Sequence, residues 1–213
     1  PGSGPHRPWS TLARLVWEKA PLLALVVALS AVTFINQRDA GSVRTLTAFP
    51  IDLRLANAAL SYLSYIWSAV WPVGLAAFYP YPTALPPWWV ITLAGLALVT
   101  VSLAVIWTIR RRPYLAVGWF WYLGTLLPVI GLIQVGDQAR ADRFTYFPLI
   151  GVFLMAAWGI PDILARWRHR HVVLATAATV AVLACAIGAR AQSMYWKNGF
   201  ALWERAAAVT TGN

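Results

Sequence analysis

WWVITLAGLALVTVSLAVIWTI, residues 88–109, is a long apolar run without a single charged side chain. It is followed directly by three arginines and a proline, residues 110–113. A transmembrane helix needs about 20 consecutive apolar residues, and arginines concentrate at the cytoplasmic ends of such helices. The run therefore predicts a membrane-spanning helix that ends at the arginine triplet on the cytoplasmic side.

The composition extends this conclusion to the whole chain. Hydrophobic residues make up 60% and charged residues 11% of the 213 residues, whereas a soluble domain carries about 25% charged residues. The 13 Trp residues fit the enrichment of aromatic rings at membrane–water interfaces. Basic clusters beside the apolar runs explain the net charge of +10, so we predict contact with a lipid bilayer and no binding of nucleic acid.

Cysteine and histidine give no sign of a metal centre. The three His residues lie in basic flanks and lack the spacing of metal ligands, so no metal site is predicted. The one cysteine, Cys185, is expected to pack as a small hydrophobe. It belongs to a stripe of small residues at fourfold spacing, with Ala177, Ala181 and Ala189, which favours close packing between helices.

Five apolar runs predict five spans in an all-α, polytopic transmembrane bundle. They are residues 20–35, 88–109, 114–133, 146–164 and 172–189. Pro128 is expected to kink the third span. Residues 1–19 are predicted to form an amphipathic cytoplasmic or interfacial segment. Residues 51–71 carry a polar side that includes Asp52 and Arg54, so they predict an interfacial or re-entrant helix with one wet or protein-facing side.

The basic clusters also predict orientation. The clusters near residues 14–19, 110–112 and 166–171 belong on the cytoplasmic side. Five crossings then place loops 36–87 and 134–145 and the C-terminus on the outer side, provided that residues 51–71 do not cross completely. The charged loop at 134–145 should therefore face the proline-rich, aromatic residues 72–87.

Residues 190–213 differ in character from the apolar runs before them. Trp196, Phe200, Trp203 and Ala207 recur at spacings of four, three and four, which predicts an amphipathic helix with one face in need of a partner. Two interpretations stay open: an interfacial helix, or a docking helix that leads into a following domain.

GDQARADRFTYFP, residues 136–148, gathers two Asp and two Arg directly before an apolar run. In a structural interpretation, Asp137 pairs with Arg140 and Asp142 pairs with Arg143, which stabilises the loop slightly. In a functional one, a guanidinium group binds a phosphate, whose oxygens match its fork of donors. A polyprenyl-linked sugar keeps its phosphate at headgroup depth, and Arg143 lies nearest to the membrane entry.

Three further residues complete this predicted phosphate site. We expect Arg140 to share the phosphate with Arg143, Asp142 to orient Arg143, and Tyr146 to lie beside it at the same depth. Ionisable groups at membrane depth are functional candidates by default.

Four secondary candidates lie on the predicted outer face. Arg54 either pairs with Asp52 or contributes to a shared pocket. Asp137 is a weaker candidate for a base or a metal ligand. Tyr79 and Tyr81 either anchor the chain among the headgroups or stack on a sugar ring or lipid.

The run ADRFTYFPLIG, residues 141–151, resembles the signature of a membrane glycosyltransferase group with C-terminal tetratricopeptide repeats. Its eukaryotic members are the transmembrane and tetratricopeptide-repeat-containing O-mannosyltransferases, and it has bacterial relatives. Residues 53–82 and 192–213 agree with the same group, and the last stretch looks like the lead-in to a first repeat. The resemblance covers residues 10–213.

This resemblance implies a GT-C fold and a polyprenyl-phosphate sugar as the donor, with transfer on the outer face. It places Arg143 in the donor-phosphate region. The family's catalytic acid is expected in a first outer loop, and no Asp-Asp or Asp-Glu pair occurs here. The chain is thus expected to be the C-terminal half of a membrane domain in the bacterial inner membrane, inactive alone, with a periplasmic C-terminus.

Two other functions stay open. A non-enzymatic membrane anchor would present a periplasmic tetratricopeptide-repeat domain to protein partners or acceptors. Half of a transporter is less consistent with the sequence, because transporter spans carry charges near the bilayer centre and four of the five predicted spans have none between their ends.

Overall fold

The computed structural model describes residues 8–41, 49–82, 84–134 and 136–210, with side chains from residue 17 onward. The described residues are mostly helical, which confirms the predicted helical fold class. The α-helices are α1 (Pro8–Asp39), α2 (Ile51–Val70), α3 (Trp88–Thr108), α4 (Pro113–Leu126), α5 (Pro148–Ile163), α6 (Arg170–Ser193) and α7 (Gly199–Val209). Two short strands, β1 (Tyr79–Pro80) and β2 (Gln138–Arg140), and 3-10 helices at Leu127–Val129, Asp142–Thr145 and Met194–Trp196 complete the described elements.

Three of the described helices are long and apolar enough to cross a membrane. They cover Trp17–Asp39, Trp88–Thr108 and Arg170–Trp196. These three helices indicate a membrane protein, as the composition predicted. The five-span topology stays a prediction.

The two remaining predicted spans are shorter than the sequence suggested. At 1.5 Å per residue, α4 and α5 measure about 21 Å and about 24 Å, less than the roughly 30 Å of a hydrocarbon core. Pro128 does not kink a long helix as expected. Instead α4 ends at Leu126, and Pro128 lies in the 3-10 helix Leu127–Val129, because proline cannot donate the next helical hydrogen bond.

The structure divides into two compact units, one with α1 and one with the elements from α2 onward. The sequence predicted an interfacial segment before residue 20 and a separate span that begins there. In the structure, α1 is one helix that continues through Pro21. Most of the amphipathic side chains predicted within residues 1–19 lie outside the described residues. From Leu22 to Ile35 the large apolar side chains of α1 are exposed, as expected of a helix that contacts lipid.

The core of the second unit is built around aromatic residues of α2 and α4. Tyr65, Trp119 and Tyr122 are almost fully buried. The Tyr62 hydroxyl donates to Leu123 O at 2.9 Å, and the Tyr122 hydroxyl donates to Tyr62 O. The phenols of Tyr62 and Tyr122 therefore each have a hydrogen-bond partner, which removes most of the cost of burying a polar group.

Helices α4 and α5 approach each other closely at Gly118 and Gly151. A Cβ atom on either glycine would collide with the backbone carbonyl of the other. The Trp121 indole N–H donates to Phe147 O at 2.9 Å and ties the same two helices together where α5 begins. This close packing positions the start of α5 beside the charged loop.

Two packing predictions for the C-terminal part are wrong. None of the residues of α6 is buried, and Cys185 is exposed, so the small-residue stripe packs against nothing in the described chain. Helix α7 forms as predicted, with Asn198 capping it by accepting from Ala201 N at 2.8 Å. Its buried residue is Ala206, not Ala207, because this helix packs against the loop after α2 through Ala76 and Tyr79.

Candidate functional site

The two loops predicted to lie on the outer side pair directly with each other. Strands β1 and β2 are antiparallel, and Tyr79 lies opposite Arg140. Beyond the strands, Tyr81 N donates to Asp137 O at 3.1 Å. The expectation that the charged loop faces the proline-rich segment is confirmed. The side of the membrane on which they lie stays a prediction.

Buried polar side chains of α2 hold the charged loop in place. Asn57 Nδ2 donates to Ala139 O at 3.0 Å. The Tyr65 hydroxyl accepts from Ala141 N at 3.0 Å and lies 3.3 Å from Ala141 O. The predicted polar side of residues 51–71 is therefore protein-facing, because its groups satisfy backbone donors and acceptors of the loop.

Arg54 is a buried residue that organises the same region. It is 5% exposed, its Nε donates to Phe49 O at 2.8 Å and its Nη1 donates to Leu132 O at 3.2 Å. Asp52, its predicted partner, is exposed and accepts from Leu53 N at 2.8 Å. Arg54 thus links the segment before α2 to the segment before the charged loop. Within the described residues, it does not line an open pocket.

Gln134 shapes the turn that precedes β2. Its Nε2 donates to Gly136 O at 2.9 Å and to Gln138 O at 2.8 Å, and the residue is 1% exposed. Gly131 has a φ of 93°, a conformation that glycine adopts without steric cost. A Cβ atom there would lie 2.9 Å from Gln134 Oε1, so the glycine also makes room for the amide.

Tyr79, Arg140 and Asp142 form one cluster at the centre of the site. The Tyr79 hydroxyl donates to Asp142 Oδ2 at 2.9 Å and accepts from Ala76 N at 3.0 Å. The Arg140 Cζ atom lies 4.3 Å from the centre of the Tyr79 ring, within the range of a cation–π interaction. Burial, together with the negative charge of Asp142, raises the pKa of Tyr79 to about 12.

The contacts of Asp142 hold it within this cluster. Burial raises the pKa of its carboxyl group, and the hydrogen bond from Tyr79 and the charge of Arg140 oppose that rise. The expectation that Asp142 orients Arg143 is corrected, because Arg143 Nη2 donates instead to Gln138 Oε1 at 3.1 Å. Among the described residues, no carboxylate forms an ion pair with either Arg140 or Arg143.

Arg143 lies at an apolar cleft where α4, the 3-10 helix 142–145 and α5 meet. The cleft has a volume of about 420 Å³. Its lining consists of Trp121, Thr125, Val129, Arg143, Phe144, Phe147 and Pro148. The Arg143 Cζ atom lies 5.2 Å from the centre of the Phe144 ring. The Thr125 hydroxyl donates within its own helix, to Trp121 O at 2.7 Å. Arg143 is the cationic residue in the lining of this cleft.

Arg140 faces a different cleft, beside α2. Two adjoining cavities of about 530 Å³ and 330 Å³ share four lining residues. These residues are Ser64, Gly74, Tyr79 and Arg140. The expectation that Arg140 and Arg143 share one phosphate is therefore corrected: residues 138–140 form a strand rather than a helical turn, and the two side chains line separate clefts.

The remaining predicted residues differ in exposure. Tyr146 is 78% exposed at the entry to α5, and its position at headgroup depth stays a prediction. Asp137 is exposed. Tyr81 is buried, its ring 4.2 Å from that of Phe49, and its hydroxyl has no hydrogen-bond partner among the described residues. A buried ring cannot stack on a sugar without rearrangement of the loop.

Sequence reasoning missed the residues that set the geometry of the site, namely Gln138, Gln134 and Tyr65. The signal was present in part, because polar and phenolic residues recur through 51–71. Their partners are backbone groups of a distant loop, which no sequence pattern specifies.

The described residues contain no group of three or more His, Cys, Asp or Glu that would hold a metal ion. No protein-family model, curated protein or solved structure matches this chain.

Proposed function

We propose that this chain is the membrane portion of a glycosyltransferase that uses a polyprenyl-phosphate sugar as its donor. In this proposal Arg143 binds the lipid-linked phosphate, and the chain forms part of a GT-C-like fold with five spans. The bacterial inner membrane is the proposed location, with the C-terminus on the periplasmic side. The resemblance of residues 141–151 to the signature of that glycosyltransferase group supports the choice of enzyme class.

A single arginine at the edge of an apolar cleft is the observation that carries the proposal. A polyprenyl phosphate has the complementary form, with a long apolar chain that ends in an anion. The rings of Trp121, Phe144 and Phe147 line the cleft around Arg143 and offer apolar surface to the isoprene units. An arginine fork matches phosphate oxygens in two parallel hydrogen bonds.

The electrostatics of the loop favour an external anion. Asp142, the nearest acidic residue in the sequence, accepts from Tyr79. The side chain of Arg143 has a neutral partner, the amide oxygen of Gln138. That contact fixes its direction without neutralising its charge. An exposed guanidinium group with a neutral partner gains more from a phosphate than one already paired with a carboxylate.

The chemistry assigned to this chain is the stabilisation of the leaving phosphate. In an inverting transfer, a carboxylate activates the acceptor hydroxyl, and positive groups stabilise the charge that develops on the departing phosphate. Arg143 is suited to the second role. Asp142 is poorly suited to the first, because it is half-buried and held by Tyr79.

Binding of a long-chain polyprenyl phosphate to the protein in lipid nanodiscs tests this function. We expect Arg143→Ala to weaken binding at least about tenfold, since hydrogen bonds to charged groups contribute about 1.5–3 kcal/mol. Arg143→Lys should retain part of the affinity, because it keeps the charge but loses the planar fork. Arg190→Ala, in the last turn of α6, is the matched control and should bind like the wild type.

Equal binding by the wild type and Arg143→Ala would overturn the proposal. The charged loop would then have a structural role only. A non-enzymatic anchor that presents a tetratricopeptide-repeat domain to protein partners would become the better explanation.

A further inference from the structure

We propose that the polar cleft beside α2 is a second binding site, which takes a soluble, hydroxyl-bearing phosphate such as a hexose phosphate. The site is called the α2 cleft below, and it comprises Ser61, Ser64, Ser68, Tyr79 and Arg140. It is separate from the apolar cleft of Arg143. The proposal does not rest on the lipid-binding function, because different residues carry it.

The α2 cleft is large enough for a small molecule. Its two adjoining cavities measure about 530 Å³ and 330 Å³, within the range of about 300–1,000 Å³ that is typical of small-molecule sites. Ser64, Gly74, Tyr79 and Arg140 line both cavities. A ligand that occupies both cavities would therefore contact Arg140 in each of them.

Arg140 is positioned to receive an anion. Its Cζ atom lies over the Tyr79 ring, 4.3 Å from the ring centre, and a cation–π contact of this kind uses none of the guanidinium group's N–H donors for a conventional hydrogen bond. In the part of the chain that the structure describes, the side chain donates no hydrogen bond. The Tyr79 hydroxyl is engaged with Asp142 and Ala76, so it holds the ring in place beneath the cation.

Ser61 adds a hydroxyl group to the lining of the α2 cleft. It is 3% exposed and lines the smaller cavity. A serine hydroxyl both donates and accepts hydrogen bonds, so a ligand oxygen in the cleft would find a partner in Ser61.

The serines of the α2 cleft are the reason for proposing a ligand that carries several hydroxyl groups. Ser61, Ser64 and Ser68 are three and four residues apart, so they lie along one side of α2. Ser64 and Ser68 line the larger cavity with Arg140. Hydroxyl groups act as both donors and acceptors, which suits the hydroxyls of a sugar, while Arg140 takes the phosphate.

Equilibrium dialysis of radiolabelled glucose 1-phosphate against the full chain in nanodiscs tests the proposal. We expect saturable binding by the wild type that weakens at least about tenfold in Arg140→Gln and about threefold to tenfold in Ser61→Ala. Ser193→Ala is the matched control, because that serine is exposed and donates to Arg190 O. The thermal midpoint of each variant shows whether it remains folded.

A second arm separates a soluble ligand from a lipid headgroup. Polyprenyl phosphate in the nanodisc should not displace glucose 1-phosphate, and inorganic phosphate should compete with it. Arg143→Ala should weaken the lipid without weakening the sugar phosphate, so either proposal can fail alone. Absence of saturable binding, equal binding by folded Arg140→Gln, or displacement by the lipid would each overturn the inference.

Discussion

The Tyr79 hydroxyl donates to Asp142 Oδ2 at 2.9 Å, although the two residues are 63 positions apart in the chain. This hydrogen bond joins the proline-rich loop to the charged loop at the point where β1 and β2 pair. It also takes Asp142 away from the neighbouring Arg143. The guanidinium groups of Arg140 and Arg143 are consequently available to other partners.

The first prediction concerns the pH dependence of this contact. Burial raises the pKa of the Asp142 carboxyl, and the Tyr79 hydrogen bond lowers it. Replacement of Tyr79 by Phe should therefore raise the pKa of Asp142 further. A group whose pKa is raised by folding contributes stability below its unfolded-state pKa, about 3.9 for Asp, and loses that contribution as pH rises through the folded-state pKa.

It follows that Tyr79→Phe should destabilise the protein more at neutral pH than at about pH 4 to 5. Thermal midpoints in nanodiscs, measured across this range for the wild type and the variant, provide the check. The pH-dependent part of the difference should vanish in an Asp142→Asn background. A constant difference at every pH would show that Asp142 does not titrate against the hydrogen bond.

The second prediction concerns the glycines between α4 and α5. A methyl group at Gly151 would meet Gly118 O and would lie 3.0 Å from Trp121 Cδ1. Overpacking of this kind costs about 1–3 kcal/mol, and the obstacle is largely backbone, so Gly151→Ala should lower the thermal midpoint by several degrees. Gly124→Ala is the control on α4, since nothing lies within 4 Å of its Cβ position.

Gly124→Ala should leave stability unchanged or raise it by up to about 1 kcal/mol, because alanine is the better helix former. If both alanine variants unfold at the wild-type temperature, the two helices do not approach as closely as described.

The third prediction concerns the hydroxyl of Tyr65. It pairs with both backbone groups of Ala141, and Ala141 is 1% exposed. Tyr65→Phe should cost about 1–3 kcal/mol of unfolding free energy, the penalty for leaving buried polar groups without partners. Tyr146→Phe removes a hydroxyl from a side chain that is 78% exposed and should have little effect. Equal melting of the two variants would contradict the assignment.

The fourth prediction concerns Arg54. Its guanidinium group bonds to the carbonyls of Phe49 and Leu132, so Arg54→Leu should cost about 2–4 kcal/mol. Arg54→Lys should recover only part of this loss, because an ammonium group cannot reproduce the fork. Arg110→Leu removes an exposed arginine and serves as the control. Hydrogen exchange at residues 136–141 should rise in the Arg54 variants alone, and unchanged protection there would contradict the role given to Arg54.

Much of the architecture was readable from local hydropathy. The predicted span at 88–109 and helix α3 agree within one residue, because an uninterrupted apolar run specifies both its secondary structure and its environment. Helix α6 was also foreseen, although it begins and ends slightly outside the predicted limits. The polar side of residues 51–71 correctly indicated a helix with one protein-facing side.

The predictions failed where the outcome depended on a distant segment. The inward side of α7 is set by Ala76 and Tyr79, more than 100 positions earlier in the chain. The end of α4 at Leu126 is different, because it is a local effect of Pro128 that was predicted as a kink. Exposure of Cys185 reflects the absence of a neighbour beside that part of α6 in the described chain, which composition does not reveal.

Composition and hydropathy indicated a helical membrane protein with a cationic loop beside an apolar run, since these properties sum over neighbouring residues. The pairing of β1 with β2 decided the contacts of Arg140, Asp142 and Arg143, because strand register fixes which side chains face each other. That register directs Asp142 to Tyr79, places Arg140 over the Tyr79 ring, and turns Arg143 towards a different cleft.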